Sequence, residues 1–131
     1  MNTAATLVAQ AGSSVTSLPS DRFAVEVDDP SAVVIDVREA DERVASGSIA
    51  GAMHVPRGLL EFRADPTDPG HDPRLQPQAR VLLYCADGTR SALASASLRT
   101  LGYTSVADLE GGLRAWDEAC LPLVGRLSSP Y

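Results

Sequence analysis

Two stretches, Val33-Val34-Ile35-Asp36-Val37 and Val81-Leu82-Leu83-Tyr84, lack the apolar/polar alternation of a half-exposed strand. They have the pattern of strands covered on both faces, as in parallel sheets. Two weaker runs, over residues 52–55 and 105–109, stop at Pro56 and at Gly111-Gly112 and are expected to be shorter strands. Helical spacing fills the gaps. Over residues 90–101, Leu93, Ala94, Ser97, Leu98 and Leu101 share a face, and Gly102 stands where a left-handed cap is needed. Shorter helices are predicted over 113–121, 39–45 and 19–27, the last with Ser17 or Ser20 as its N-cap. Strands alternating with helices imply right-handed crossovers and an α/β fold: an open parallel sheet with helices on both faces. Pro66, Pro69, Pro73 and Pro77 make residues 64–77 an ordered surface loop inside one domain spanning 14–124. Residues 1–13 and 125–131 are expected to be tails, the first short, mobile and rich in Ala, Ser and Thr.

Composition narrows the chemistry. A chain of 131 residues, 44% hydrophobic and 21% charged, suits one globular domain that needs no metal or disulfide to hold its core. The net charge, 11 − 17 = −6, and the absence of basic runs argue against nucleic acid or an anionic membrane as partner. Every basic side chain is arginine, so no lysine can form a Schiff base. Cys85 and Cys120 make no disulfide framework, and neither His54 nor His71 stands in a zinc-ligand spacing, so no metal is expected. With no export signal and no long apolar run, a cytoplasmic location is the expectation.

The stretch Tyr84-Cys85-Ala86-Asp87-Gly88-Thr89-Arg90-Ser91 puts a cysteine directly after a covered strand and an arginine at the start of a helix. The carboxyl end of a parallel strand opens into the crevice where α/β sheets bind ligands. A short loop there can turn its peptide N–H groups toward the sulfur, with the positive end of the helix dipole behind them. That surrounding favours the thiolate, the nucleophilic form of cysteine. Gly88 permits the tight turn, and the Arg90 fork can hold two oxygens of an anion. The reading requires a thiol that is both ionised and open to water.

The loop Cys85-Ala86-Asp87-Gly88-Thr89-Arg90 resembles the CxxGxR signature of the rhodanese-like family. Ile35-Asp36-Val37-Arg38, Gly47-Ser48-Ile49-Ala50-Gly51-Ala52 and His54-Val55-Pro56 resemble its upstream motifs, with Ser48 in place of the usual histidine. Gly102-Tyr103 and Gly111-Gly112 followed by Ala115-Trp116 resemble its ending, so the match runs over about residues 14 to 124. The resemblance implies a rhodanese-like fold and a sulfurtransferase. Cys85 would take a sulfane sulfur from thiosulfate or a low-molecular persulfide and pass it to a thiol or cyanide-like acceptor, or to a protein acceptor. It implies no metal and no organic cofactor, with Ala86, Asp87, Gly88, Thr89 and Arg90 cradling the persulfide. Phosphatases of similar architecture use a loop one residue longer, which ranks hydrolysis or reduction of an oxyanion such as phosphate or arsenate below sulfur transfer. A persulfide-carrying or protein-binding module without turnover is the other reading, because Asp87 opposes both the thiolate and an incoming dianion.

Other residues take supporting roles. Asp36 and Arg38 are expected to anchor the strand exit beside the loop, with Glu42, four residues after Arg38, in the same ion-pair network. Ser91 opens the helix behind the loop. Arg57 and Arg63 flank an apolar turn after the third strand; Arg57 is a candidate for the rim of the site, with surface solvation as its plainer role. Trp116 is expected in the core, His54 and His71 are read as structural and surface residues, and Cys120 as a packed or idle thiol.

Overall fold

A computed structural model describes residues 1–126. In chain order it contains α1 (Ala4–Gly12), β1 (Thr16–Leu18), α2 (Ser20–Val27), β2 (Val33–Asp36), α3 (Ala40–Ser46), β3 (Met53–His54) and a 3-10 turn (Arg57–Leu59). There follow α4 (Leu60–Ala64), β4 (Arg80–Tyr84), α5 (Thr89–Thr100), β5 (Ser105–Leu109) and α6 (Gly112–Glu118). The five strands form one sheet in the order β1-β5-β4-β2-β3, and every pairing is parallel. The two most apolar runs, β2 and β4, lie side by side and are covered on both faces, as their composition predicts.

Successive strand residues feed opposite cores. Ile35, Val81, Leu83, Cys85 and Val106 pack with Leu60 of α4, Leu75, and Ala94 and Leu98 of α5. Val34, Leu82, Tyr84, Ala107 and Leu109 pack with Phe23 of α2 and Leu113 and Trp116 of α6. Trp116 meets Phe23 edge to face at 6.1 Å and donates its ring N–H to the Pro122 carbonyl at 2.9 Å. After α5, Gly102 takes φ +95°, and the Gly102 and Tyr103 amides bond back to the Arg99 and Leu98 carbonyls, which is the expected left-handed cap. The 64–77 loop is pinned by Asp65, Asp68 and Asp72, each accepting a backbone N–H two residues on, and by Leu75 buried in the core.

The structure departs from the sequence reading at its N-terminal end. Residues 4–12, expected as a mobile tail, form α1, because Thr3 and Thr6 close a reciprocal capping box and the helix lies against α5 with Ala11 buried. A fifth strand, β1, pairs with β5 at the sheet edge. Pro19, not a serine, occupies the N-cap of α2, and the Ser17 hydroxyl is committed to Asp108. Of the expected C-terminal tail, Arg126 bonds to Asp117 and to the Ser46 carbonyl, while residues 127–131 lie outside the described residues. Among the described residues, no helix is long and apolar enough to cross a membrane.

Candidate active site

Strand β4 ends at Tyr84 and delivers Cys85 to the carboxyl edge of the sheet between β5 and β2. The chain then turns through Gly88, whose φ of +98° a side chain would resist, into the twelve-residue α5. The loop is shaped from outside by α6. Its Leu113 and Arg114 amides donate to the Cys85 carbonyl at 2.8 Å and the Ala86 carbonyl at 3.0 Å. In a trans peptide N–H and C=O point opposite ways, so drawing these carbonyls toward α6 turns the Ala86 and Asp87 amides away from it. Gly112 makes this approach possible: a Cβ there would lie 2.5 Å from the Ala86 carbonyl carbon and the Asp87 nitrogen.

At the centre, Cys85 Sγ accepts the Gly88 N–H at 3.1 Å and the Ser91 N–H at 3.4 Å. Ser91 Oγ lies 3.5 Å from the sulfur and donates to Asp108 Oδ2 at 2.9 Å. Ser17 donates to the other Asp108 oxygen at 2.5 Å. Burial pushes the Asp108 carboxyl up against the lowering effect of these two hydroxyls. Asp87 stands 3.9 Å from the sulfur, but its carboxylate caps the Thr89 N–H and hydroxyl, which hold it below its usual range.

Asp36 and Arg38 form the expected anchor. The Asp36 carboxylate takes the Arg38 backbone N–H, Nε and Nη2 at 2.8 to 3.0 Å, and Arg43 Nε lies 3.2 Å away. Arg38 Nη2 also donates to the Gly47 carbonyl, and its guanidinium sits 5.7 Å from the Tyr84 ring centre. Burial raises the Tyr84 phenol, whose oxygen accepts the Ile49 N–H. His54 bonds to the Arg38 carbonyl, as a structural histidine does, while His71, expected at the surface, is half-buried and bonds to the Leu75 carbonyl.

Four expectations are corrected. Glu42 does not bind the Arg38 guanidinium through its carboxylate; it clasps Arg90 with two bonds of 2.7 and 2.8 Å, because α3 faces the start of α5. Arg90 is therefore not a free cation, and the pairing holds Glu42 down to about 2. Arg57 is not at the rim: it bonds to Glu61 and to Ser97 in the second half of α5. Cys85 itself is fully covered, in place of the open thiol the sequence reading requires. The nearest cavity, about 240 Å³, is lined by Ala86, Arg38, Glu42, Leu113 and Arg114 but not by the cysteine. Of the amides expected to face the sulfur, Gly88 reaches it, Ser91 joins it, and Thr89 is taken by Asp87. Arg63 holds the Gly70 carbonyl, and Cys120 is an exposed free thiol. Among the described residues no cluster of three or more His, Cys, Asp or Glu could hold a metal.

Sequence reasoning missed two contributors. The grip of α6 on the loop has a signal in the paired glycines before a helix. Asp108 has a signal too, as a carboxylate inside an otherwise apolar strand.

Comparison with known proteins bears on the family and the fold. The sequence profile of the rhodanese-like domain matches residues 20–119. A sulfurtransferase of Allochromatium vinosum is 34% identical over 92 residues, which cover 70% of this chain and 78% of that protein. A Rhodopseudomonas palustris structure, described as of unknown function and a possible tyrosine phosphatase, superposes with TM-score 0.88 at 34% identity, covering 94% of this chain and 95% of that one. The homodimeric polysulfide-sulfur transferase of Wolinella succinogenes superposes with TM-score 0.74 at 29% identity, covering 95% and 88%. Other relatives are longer, and the chain spans 52% of one from Bacillus subtilis and 50% of one from Synechocystis.

Proposed function

The chain belongs to the rhodanese-like domain family, and from that premise we propose that it moves a sulfane sulfur from thiosulfate or a low-molecular persulfide to a thiol or cyanide-like acceptor. In the first step the Cys85 thiolate attacks the outer sulfur of the donor. The donor's S–S bond breaks, sulfite or a thiolate leaves with the electron pair, and Cys85 carries a persulfide. In the second step the acceptor attacks the outer sulfur and Cys85 is released as thiolate. The observation that carries this reading is the convergence of the Gly88 and Ser91 amides on Sγ, at the head of α5 and at the end of a central strand. Fixed N–H dipoles of that kind stabilise negative charge on sulfur without reorganising during the reaction. The sulfur is covered, so on this reading the loop has to open for the donor to reach it.

Incubation with thiosulfate or glutathione persulfide should add one sulfur to the intact mass. Cyanide should remove it, and Cys85→Ser should not acquire it. The covered thiol and Asp87 favour, as second reading, a protein-binding module that does not turn over. Absence of an adduct from any donor would select it, whereas turnover of an aryl phosphate would select oxyanion chemistry.

A further inference from the structure

We propose that Ser91, Asp108 and Ser17 form a proton path for the covered Cys85 thiol, with Asp108 as the proton acceptor. The inference rests on the reading of Cys85 as nucleophile. While the site is closed, a thiol with no exposed surface cannot pass its proton directly to water, so a thiolate already formed when a reagent enters has to arise inside the site. The structure offers one continuous alternative. Sγ lies 3.5 Å from Ser91 Oγ, the Ser91 hydroxyl donates to Asp108 at 2.9 Å, and Ser17, on the exposed edge strand β1, meets the far oxygen of the same carboxylate. Asp108 is 1% exposed in β5, on the sheet face that packs against α5. Burial makes its carboxylate readier to take a proton than an ordinary aspartate.

The step balances internally. The S–H bond breaks and leaves its electron pair on sulfur, the proton passes to Ser91 Oγ, and the proton already on Ser91 passes to Asp108 Oδ2. Both ends remain hydrogen-bonded: in one arrangement thiol donates to serine and serine to carboxylate, in the other carboxylic acid donates to serine and serine to thiolate. The pair carries a single negative charge throughout, which avoids two buried anions. The surrounding charges agree with one charge and not two. Asp87 lies 3.9 Å from Sγ, Arg90 next to it is neutralised by Glu42 from α3, and Glu110 repels an ionised Asp108. Among the described residues, β1 and α5 bring the two serine hydroxyls to the carboxylate, and Leu83 is its neighbour on β4.

The test reads Cys85 alone, in a Cys120→Ser background, by its alkylation rate with iodoacetamide from about pH 4 to pH 10. Two groups sharing one proton should give a two-step profile: a shoulder where the pair has lost its first proton, then a second rise where both are charged. Asp108→Asn keeps an acceptor for one serine hydroxyl and presents an N–H to the other, which must turn to accept it, and it cannot take the proton. It should abolish the shoulder and react about a hundredfold more slowly there, the low side of what a positioned proton acceptor contributes. Ser91→Ala should lower the shoulder, and Ser17→Ala should keep both steps but move the first to higher pH, since the carboxylate loses a donor. A one-step profile in the parent overturns the proposal without any substitution. So does faster low-pH alkylation of Asp108→Asn, the result expected if Asp108 only repelled the thiolate. Alkylation needs no sulfur donor, so a two-step profile without sulfur loading would refute the transfer reading and leave the proton path standing.

Discussion

Replacing Gly112 with alanine asks how closely α6 is moulded to the cysteine loop. The new Cβ would sit 2.5 Å from the Ala86 carbonyl carbon, 2.5 Å from the Asp87 nitrogen and 2.6 Å from the Ala86 oxygen. All are backbone atoms held on one side by β4 and on the other by α5, so none can yield as a flexible side chain would. The residue also has φ +63°, where a side chain costs about 1–2 kcal/mol. Overpacking adds roughly 1–3 kcal/mol, for a total of roughly 2–5 kcal/mol. At roughly 3–5 °C per kcal/mol for a domain of this size, the melting temperature should fall by roughly 6–25 °C. Gly102→Ala is the control, because Gly102 has φ +95° and open space around it at the far end of α5, and it should show the backbone cost alone. Calorimetric melts of both variants separate the two contributions, and sulfur loading by intact mass reports the loop. A Gly112→Ala melt equal to that of Gly102→Ala refutes the close contact. Full loading in a variant that melts as predicted refutes the idea that α6 sets the loop.

Asp36→Asn leaves the buried Arg38 guanidinium without its counter-charge and should cost about 3–5 kcal/mol by urea unfolding; a loss under about 1 kcal/mol contradicts that role. Glu42 lies at about 2 when folded against an ordinary 4.5, so its contribution is complete above 4.5 and disappears as pH falls toward 2. Glu42→Gln, which breaks a partly exposed pair, should cost at most about 1 kcal/mol at neutral pH and should flatten the acid limb of the stability curve; identical limbs argue against it. Removing the Asp87 charge near the sulfur is worth about 1 kcal/mol in water-like surroundings, so Asp87→Ala should lower the thiosulfate KM about fivefold, and an unchanged KM counts against the repulsion. The buried Ser95 hydroxyl has no hydrogen-bond partner among the described residues, so Ser95→Ala should leave the melting temperature level or raise it, and a clear fall would point to a partner.

What could be read in advance followed burial. β2 and β4 are covered on both sides, which forces their composition to be apolar throughout, and α5 carries its helical spacing because its buried face includes Ala94 and Leu98. β1 was invisible for the opposite reason: it is a three-residue edge strand, largely exposed and held by main-chain pairing with β5. α1 has no charge pattern, and its stop and start depend on Thr3 and Thr6, which read equally well as a polar tail. At the candidate site, the places of Cys85, Gly88 and Arg90 are legible because a covered strand, a glycine-bearing turn and a helix follow one another in the sequence. The partner of Glu42 was not, since a local i to i+4 rule points to Arg38 while tertiary packing brings Arg90 closer. Coverage of the sulfur, likewise, depends on how loop, α5 and α6 close together, and no single residue announces it.

The two amides of α6 that hold the Cys85 and Ala86 carbonyls have a consequence for redesign. Extending the cysteine turn by even a single residue, as one would to seat a bulkier tetrahedral oxyanion, would slide those carbonyls out of register with Leu113 and Arg114. The segment around Gly111 and Gly112 would then have to be recut with it, and transplanting the turn alone would yield a loosened domain before it yielded a new catalyst.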